Sequence, residues 1–411
     1  MDKGGYILRI GVVGLGYVGL VTAAVLANKY NSVIGIDVDD SRIQMLNRGK
    51  IPLFEPELDE RIRSAGNNLE FSSDYSKISD CKIIFLCVPT PNVCNKIELG
   101  HIMNAVVEIK KYNDSCDLVI KSTVIPGTAK KISKMTGMNI VSNPEFTSEG
   151  SAVHNTENPD RIIIGGKLVN NVRKVWEFTG SPLVITTNEN AELIKYASNA
   201  FLAVKISFIN QIADLCEEIP SADVNVIAQG MGLDKRIGKE FLKAGPGYGG
   251  SCFPKDTLAL SSFAYEKGID LTIINSAIKY NENRVPFLVN KIEEKLGKLE
   301  GKKVCVLGLS FKENTNDLRE SRSLIIIDNL KSRGAIIKAY DPIVHKFANI
   351  DISDDLVDCI SSSEIVITAT EWSEFSRIDP SILKNKKVFD LRRVLDPKKV
   401  DIIMGVGIGK N

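Results

Sequence analysis

Short, unbroken apolar runs alternate along this chain with longer stretches whose apolar residues recur every three or four positions. An unbroken run suits a strand covered on both faces, and the three-to-four spacing suits a helix. Residues 7–13 (ILRIGVV) and the SVIGIDVD run (32–39), its strand ending at Asp37, read as the first two strands, joined by an Ala/Leu/Val-rich helix over 20–29. KIIFLCVPTP (82–91), DLVIKSTVIPGT (117–128), MNIVSNPEFTSEG (138–150) and NPDRIIIGG (158–166) continue the series. Residues 188–218, 222–243 and 256–296 change to a helical pattern. A second strand–helix series begins at KVCVLGLSFK (303–312) and runs through AIIKAYDP, EIVITAT and KKVFDLRR. The expected fold is α/β, with two Rossmann-like doubly wound domains joined by a long-helix segment. The expected boundaries are 1–187, 188–298 and 299–411.

The first strand leads into Gly14-Leu-Gly16-Tyr-Val-Gly19, then a helix, a strand and Asp37. Those glycines allow a tight turn and let a pyrophosphate sit on the helix N-terminus. Asp37 follows at the spacing of an acid that binds a ribose 2′-hydroxyl, which favours NAD over NADP. Arg42 lies along the adenosine or is a solvated helix charge. Thr90 and Thr123 end strands, where ligands of open α/β sheets bind. Glu145 and Glu149 follow a further strand end. The second series echoes residues 8–38, with GLS for GLG and Asp341 for Asp37. Its third glycine is missing, so a nucleotide site of a different kind is expected, with Lys312, Arg319, Arg392 and Arg393 as candidate phosphate partners.

In residues 188–218, Leu193, Ala197, Ala200, Val204, Phe208 and Leu215 form one apolar stripe. Lys195 and Asn199 share another face. A helix apolar on two sides is expected to be buried between domains. A lysine and an asparagine there need partners, which makes them site candidates.

Composition alters this picture little. The 411 residues carry a formal net charge of +1, with 44% hydrophobic and 25% charged residues, so nothing marks a nucleic-acid or membrane surface. No apolar run reaches the ~18 residues that span a bilayer. The start lacks a signal-peptide layout, and a cytoplasmic enzyme is expected. Cysteines 81, 87, 94, 116, 216, 252, 305 and 359 include no CxxC pair, and His101, His154 and His345 are scattered. No metal is expected, and most cysteines read as buried free thiols.

Cys252 is the exception. It stands in Gly245–Asp256 (GPGYGGSCFPKD), just before a proline suited to a first helical turn. A helix N-terminus favours a negative sulfur. Asp256, four residues on, falls one turn away and suits a base or water-orienting role. A thiolate can capture an aldehyde, and a second oxidation then yields a thioester that water hydrolyses. Lys195 and Asn199 suit the developing oxyanion. The bland alternative makes Cys252 a small residue behind a turn.

GLGYVG (14–19), VPTP (88–91), KSTV (121–124), NPEF (143–146), NPDRIIIG (158–165), FLKAGPGYGGSCFPKD (241–256), FKENTNDLRES (311–321) and DLRRVLD (390–396) occur in that order. The combination resembles the UDP-glucose 6-dehydrogenases, within the nucleotide-sugar 6-dehydrogenases, over nearly the whole chain. The resemblance implies an NAD domain, a central segment that forms a homodimer, and a C-terminal domain for the UDP moiety. It implies that Cys252 is the nucleophile, that Lys195 and Asn199 contact oxyanion and sugar, and that Asp256, Glu145 and Thr123 handle protons and water. It further implies that Lys255 and Arg319 contact NAD and that Glu149 serves cofactor and substrate. The loop Tyr248, Gly249, Gly250 and Ser251 is implied to lie over the nucleotide, as a lid. Phe146, Thr147, Ser148, Lys312 and one of Arg392 or Arg393 (Arg393 taken first) are implied substrate contacts. Arg236 is implied to reach the substrate across a dimer interface. Three places depart from the family pattern: Thr147-Ser148 within NPEFTSEG, Glu57 where EPGL reads EPEL, and the irregular VPTPNVCNKIELG. The implied reaction is four-electron oxidation of UDP-glucose to UDP-glucuronate. The alternative is the same chemistry on a UDP-N-acetylhexosamine or another nucleotide hexose.

Overall fold

The computed structural model describes residues 8–30, 32–93 and 95–409. The chain divides between Ser198 and Asn199 into two compact units. In the first, the apolar runs form β1 (Ile10–Val13), β2 (Val33–Ile36), β3 (Leu69–Ser72), β4 (Ile83–Leu86), β5 (Asp117–Ile120), β6 (Asn139–Ser142), β7 (Ile162–Gly165) and β8 (Leu183–Thr186). Their order is β8-β7-β6-β5-β4-β1-β2-β3. Strands β1 to β6 are parallel to their neighbours, while β7 meets β6 antiparallel at Ser142 and Gly165. Alternate residues serve opposite faces. Ile83 and Phe85 join one core layer and Ile84 and Leu86 the other, so the run must be apolar throughout. Order reverses between β1 and β4, which opens a crevice at their carboxyl ends.

The second unit repeats the plan. Strands β9 (Lys303–Leu307), β10 (Ile336–Tyr340), β11 (Asp351–Ile352), β12 (Ile365–Thr368), β13 (Lys387–Asp390) and β14 (Ile402–Gly405) take the order β11-β10-β9-β12-β13-β14, all parallel. The echo expected from sequence extends to single hydrogen bonds. Gly14 N–H donates to Ile36 O at 2.7 Å, and Gly308 N–H donates to Tyr340 O at 2.7 Å. Both glycines have φ of 91°. Leu15 N–H donates to Asp37 Oδ2 at 2.7 Å, and Leu309 N–H donates to Asp341 Oδ2 at 2.7 Å. The two carboxylates then diverge. Asp341 also accepts from the Ser310 N–H and hydroxyl, the Trp372 indole and the Ile343 and Val344 N–H groups. That saturates it with its own chain, so Asp341 is a structural knot rather than a ribose acceptor.

The stretch expected as a central segment, 188–298, falls on both sides of this division. The long helix α1 (Asn188–Cys216) passes from one unit into the other. Beyond Ser198, Ile209, Ala213, Val285 and Leu288 share one core with Val304, Val306 and Phe389. The apolar stripe on α1 was expected inside, but Leu193, Phe208 and Leu215 are exposed, and neighbouring Phe201 is 64% exposed. The buried face carries Glu192, Lys195, Asn199, Ser207 and Asn210 among Tyr196, Ala200, Ala203, Ile209 and Ala213. Polar residues occupy it because they find partners there. Glu192 accepts from the Gly127 and Ala129 N–H groups at 2.6 and 2.8 Å, and Asn210 from Gly245 at 2.7 Å.

Glu57, the departure from EPGL, caps the helix Leu58–Ala65 with φ of 65°. A Cβ in that left-handed region costs about 1–2 kcal/mol, partly offset by the flexibility that glycine adds to the unfolded chain. The exposed Glu57–Arg61 ion pair at 3.4 Å adds at most about 0.5 kcal/mol. Glu57→Gly is therefore expected to stabilise the protein by about 0.5–1 kcal/mol in denaturant titration; a loss of stability contradicts the backbone argument.

Candidate active site

The crevice of the first unit is built around the β1 turn. The left-handed Gly14 packs so closely that a Cβ there would lie 2.9 Å from the backbone of Cys87. Gly16 N-caps the helix Tyr17–Ala27 without a side-chain cap, and a Cβ there would meet nothing within 4 Å. Gly19 packs back on Gly14. A bare helix N-terminus beside open space fits a pyrophosphate. Asp37 is buried, with Oδ1 accepting the Asp39 N–H at 3.0 Å and Oδ2 facing the Arg42 guanidinium at 3.1 Å. Arg42, left open between two readings, is thus a partner of the ribose-type acid. Thr90 and Thr123 follow β4 and β5 at their carboxyl ends, Thr90 buried and Thr123 half-buried. These residues fit a dinucleotide with free ribose hydroxyls.

Beyond β6, Asn143-Pro144-Glu145 is no plain turn. Glu145 Oε1 accepts from the Phe146 and Thr147 N–H groups at 2.7 and 2.9 Å, and Oε2 pairs with Lys121 Nζ at 2.7 Å. Burial pushes the Glu145 carboxyl up, but the Lys121 charge and hydrogen bond, the Phe146 N–H and the Lys195 charge outweigh it and hold the group below its ordinary range. The Phe146 ring is flanked by the Arg161 guanidinium at 4.0 Å and the Lys195 ammonium at 5.3 Å. Ser148 N–H donates to Asn155 at 3.1 Å. The half-buried Glu149 precedes Gly150, whose N–H is held by Glu55 at 2.6 Å. Lys121, Arg161 and Glu55 escaped the sequence reading. A lysine closing an apolar strand run was the available signal, because burying it demands a partner.

The second unit holds the cysteine. Cys252 immediately precedes the helix Phe253–Tyr265, as expected, with Pro254 in its first turn. Among the described cysteines it alone is exposed; Cys94 lies outside the described residues. Ser251 Oγ is 3.6 Å from its sulfur. Asp256, one turn on, is 1% exposed. Its carboxylate accepts from Asn199 Nδ2 at 2.6 Å and Lys255 Nζ at 2.6 Å. Two donors give this buried acid the partners that burial demands.

The preceding loop differs from a lid. Residues 244–248 are buried, and Arg322 and Asn281 bracket the Tyr248 backbone, with Arg322 Nε donating to Tyr248 O at 2.6 Å. Arg284 donates to Gly245 O at 3.0 Å. A Cβ at Gly249 would overlap Glu320 O, and Gly250 N–H donates to Arg319 O at 3.1 Å. These glycines fit the loop against its own protein, as a fixed wall. Asn281, Arg284 and Arg322 stand among other polar residues in sequence (KYNENR and RESRS) and gave no signal.

The cationic candidates separate. Arg319 pairs with Asp317 and is mostly exposed, and Lys312 lies 5.7 Å from the Phe311 ring. Arg236, with its side chain 89% exposed, pairs with the neighbouring Asp234. Arg393, taken first as the substrate contact, is spent elsewhere: it grips Asp223 at 2.8 Å and donates to Val406 O at 3.1 Å, locking the Asp223 turn to β14. Arg392 instead lies along Gly245, pairs with Glu371 at 3.1 Å and donates to Ala369 O. It is the better placed of the two.

Comparison with known proteins identifies the family. The NAD-binding domain model of the UDP-glucose/GDP-mannose dehydrogenase family matches residues 8–178, its central domain 189–283 and its UDP-binding domain 305–397. A UDP-glucose 6-dehydrogenase of Rickettsia bellii is 39% identical, over 96% of this chain and 98% of its own. One from Bacillus subtilis is 39% identical, over 94% and 93%. A solved UDP-glucose dehydrogenase from Pyrobaculum islandicum superposes with a TM-score of 0.94 at 33% identity, covering 99% of both chains. A UDP-D-ManNAc dehydrogenase from Pyrococcus horikoshii gives 0.88 at 26% identity, covering 97% of this chain and 99% of its own. The chain belongs to the UDP-glucose/GDP-mannose dehydrogenase family.

Proposed function

We propose that this chain oxidises UDP-glucose to UDP-glucuronate with two equivalents of NAD, using Cys252 as a covalent nucleophile. The observation that carries the reading is an exposed cysteine at a helix start, one turn from a buried carboxylate held by an asparagine and a lysine. The balance is one UDP-glucose, two NAD and one water, giving UDP-glucuronate, two NADH and three protons. Bound NAD would accept both hydrides, its pyrophosphate over Gly14, Gly16 and Gly19 and its ribose at Asp37. Thr90, Glu149, Lys255 and Arg319 are the further cofactor contacts in this proposal.

The chain's own groups supply the rest. A base takes the sugar C6 hydroxyl proton as the first oxidation gives an aldehyde. Cys252 sulfur adds to that carbonyl carbon, and the oxygen becomes an oxyanion facing Lys195 and Asn199. Collapse with loss of hydride leaves a thioester. Asp256, with Thr123 and Glu145, orients and deprotonates the water that releases the carboxylate and the thiol. The substrate-facing residues of this reading are Phe146, Thr147, Ser148, Tyr248, Gly249, Gly250, Ser251, Lys312 and Arg392.

A homodimer belongs to the proposal. Its support is the exposed apolar set Leu193, Phe201, Phe208 and Leu215 on α1, continued by Val226, Leu233 and Ile237. So large an apolar set is characteristic of a covered surface. Arg236 would act from such an interface on the partner's substrate. A cytoplasmic setting follows from a nucleophilic thiol that must stay reduced.

Counting NADH per sugar tests the central claim. Two NADH per UDP-glucose are expected, with kcat falling about 10³-fold or more in Cys252→Ser. One NADH per sugar, or full turnover by that variant, sinks it; faster turnover of UDP-N-acetylmannosamine moves the substrate instead. Arg392→Ala should raise the KM for UDP-glucose about tenfold, roughly 1.4 kcal/mol of binding. Arg393→Ala should lower Tm with little change in KM, and the reverse pattern refutes the assignment. For the dimer, light scattering should find Phe201→Asp monomeric where the parent is dimeric; an unchanged mass rejects that face as the interface.

A further inference from the structure

Lys121 lies outside every role assigned above, and its position is unusual. It follows β5 directly, and its side chain is only 4% exposed. Burying an ammonium costs several kcal/mol unless its surroundings compensate. Here the compensation has two sources. Nζ pairs with Glu145 Oε2 at 2.7 Å and stands 4.8 Å from the centroid of the Trp176 ring. The tryptophan is itself fixed: its indole N–H donates to Asn143 Oδ1 at 3.0 Å, and its ring meets Phe85 edge-on at 5.9 Å. Asn143 in turn donates to Ile163 O at 2.9 Å, across to β7. The lysine therefore sits in a rigid seat built from four neighbouring strands and two aromatic rings.

We propose that Lys121 is a positioning residue for the reaction, fixing both the orientation and the ionised state of the Glu145 carboxylate. This rests on the water-handling role proposed for Glu145. Orientation follows from the hydrogen bonds: Oε1 is tied to the Phe146 and Thr147 N–H groups and Oε2 to Lys121, so the carboxylate plane cannot turn. Charge follows from the neighbours on each packed element. Lys121 comes from β5, Lys195 from α1, and Cys87 from the end of β4. Burial pushes the Cys87 thiol up to about 12, so it stays neutral over any practical assay range and adds no charge. Lys195 adds a second positive charge, with a smaller effect than that of Lys121, whose Nζ lies 2.7 Å from Oε2. In the proposed mechanism Lys195 also serves the oxyanion, so Lys121 is the cation dedicated to Glu145.

The sign of the pH effect is fixed. Glu145 lies below its ordinary range, so its carboxylate persists as pH falls. Replacing Lys121 by a neutral residue removes the largest lowering influence and leaves burial pushing upward. The acid limb of kcat should then move to higher pH.

The experiment compares kcat and KM against pH for the wild type, Lys121→Met, Lys121→Arg, Glu145→Gln and the double variant Lys121→Met/Glu145→Gln. In Lys121→Met the acid limb is expected to rise by about 1–3 pH units, with KM for UDP-glucose nearly unchanged. Lys121→Arg should restore the limb toward its original position. Once Glu145→Gln is in place, Lys121→Met should change kcat little further, because the lysine acts through the glutamate. Slower turnover with an unmoved limb, or fully additive losses in the double variant, overturns the proposal while leaving Glu145 in its role. Full activity of Glu145→Gln overturns the role of Glu145 and the proposal with it. Should Lys121→Met not fold, recovery of folded protein in the double variant supports the pairing, since no unpaired buried charge then remains. Failure to recover it counts against the pairing.

Discussion

A buried carboxylate must be given donors or lose its charge, and this constraint organises the second unit. Asp256 meets it by drawing Asn199 from α1 and Lys255 from its own helix. The Asn199 bond ties the rotation of the long helix to the helix that begins after Cys252. A polar stripe on α1 must therefore face inward. The apolar residues Leu193, Phe201, Phe208 and Leu215 are then turned outward. The first unit answers the same constraint differently, with Lys121 and two backbone N–H groups around Glu145.

The loop that carries the cysteine shows how rigidity is divided. Its backbone is held by Asn210, Asn281, Arg284 and Arg322, all buried side chains from helices packed on it. Arg284 also pairs with Asp214, so the long helix and the loop share one network. The sulfur itself remains exposed at the end of this framework. A nucleophile that must meet a carbon at a defined angle gains from such fixed support, because little freedom is left to lose on the way to the reactive geometry.

Much of this was legible in the sequence because it rests on local pattern. Unbroken apolar runs marked the strands, Gly14, Gly16 and Gly19 with Asp37 marked the crevice, and a proline after Cys252 marked the helix start. What escaped depends on long-range pairing. Lys121 and Glu145 are joined only once β5 and β6 lie side by side, and nothing in their spacing announces it. Arg392 and Arg393 are adjacent and identical in type, yet Arg393 has a φ of 55° and its side chain turns to Asp223. The stripe on α1 was recognised correctly but given the wrong direction. Periodicity tells which residues share a face, while burial is decided by where the partners of Lys195 and Asn199 lie. The glycines of 245–250 were read as access for a ligand, but a short distance to one's own carbonyl demands glycine just as strictly.

The twin turns at Asp37 and Asp341 carry a consequence of their own. Both halves inherit one joint, a left-handed glycine over a carboxylate, and they have finished it in opposite ways. In one half the acid keeps acceptor capacity and the neighbouring helix start is bare, so the joint is a socket. In the other, Ser310, Trp372 and nearby amides have grown into the same space, so the joint is plugged. A plugged joint needs no guest in order to hold its shape. The half that has given up the dinucleotide at this turn has thereby become free to serve a different ligand elsewhere on its surface, while its architecture stays that of its twin.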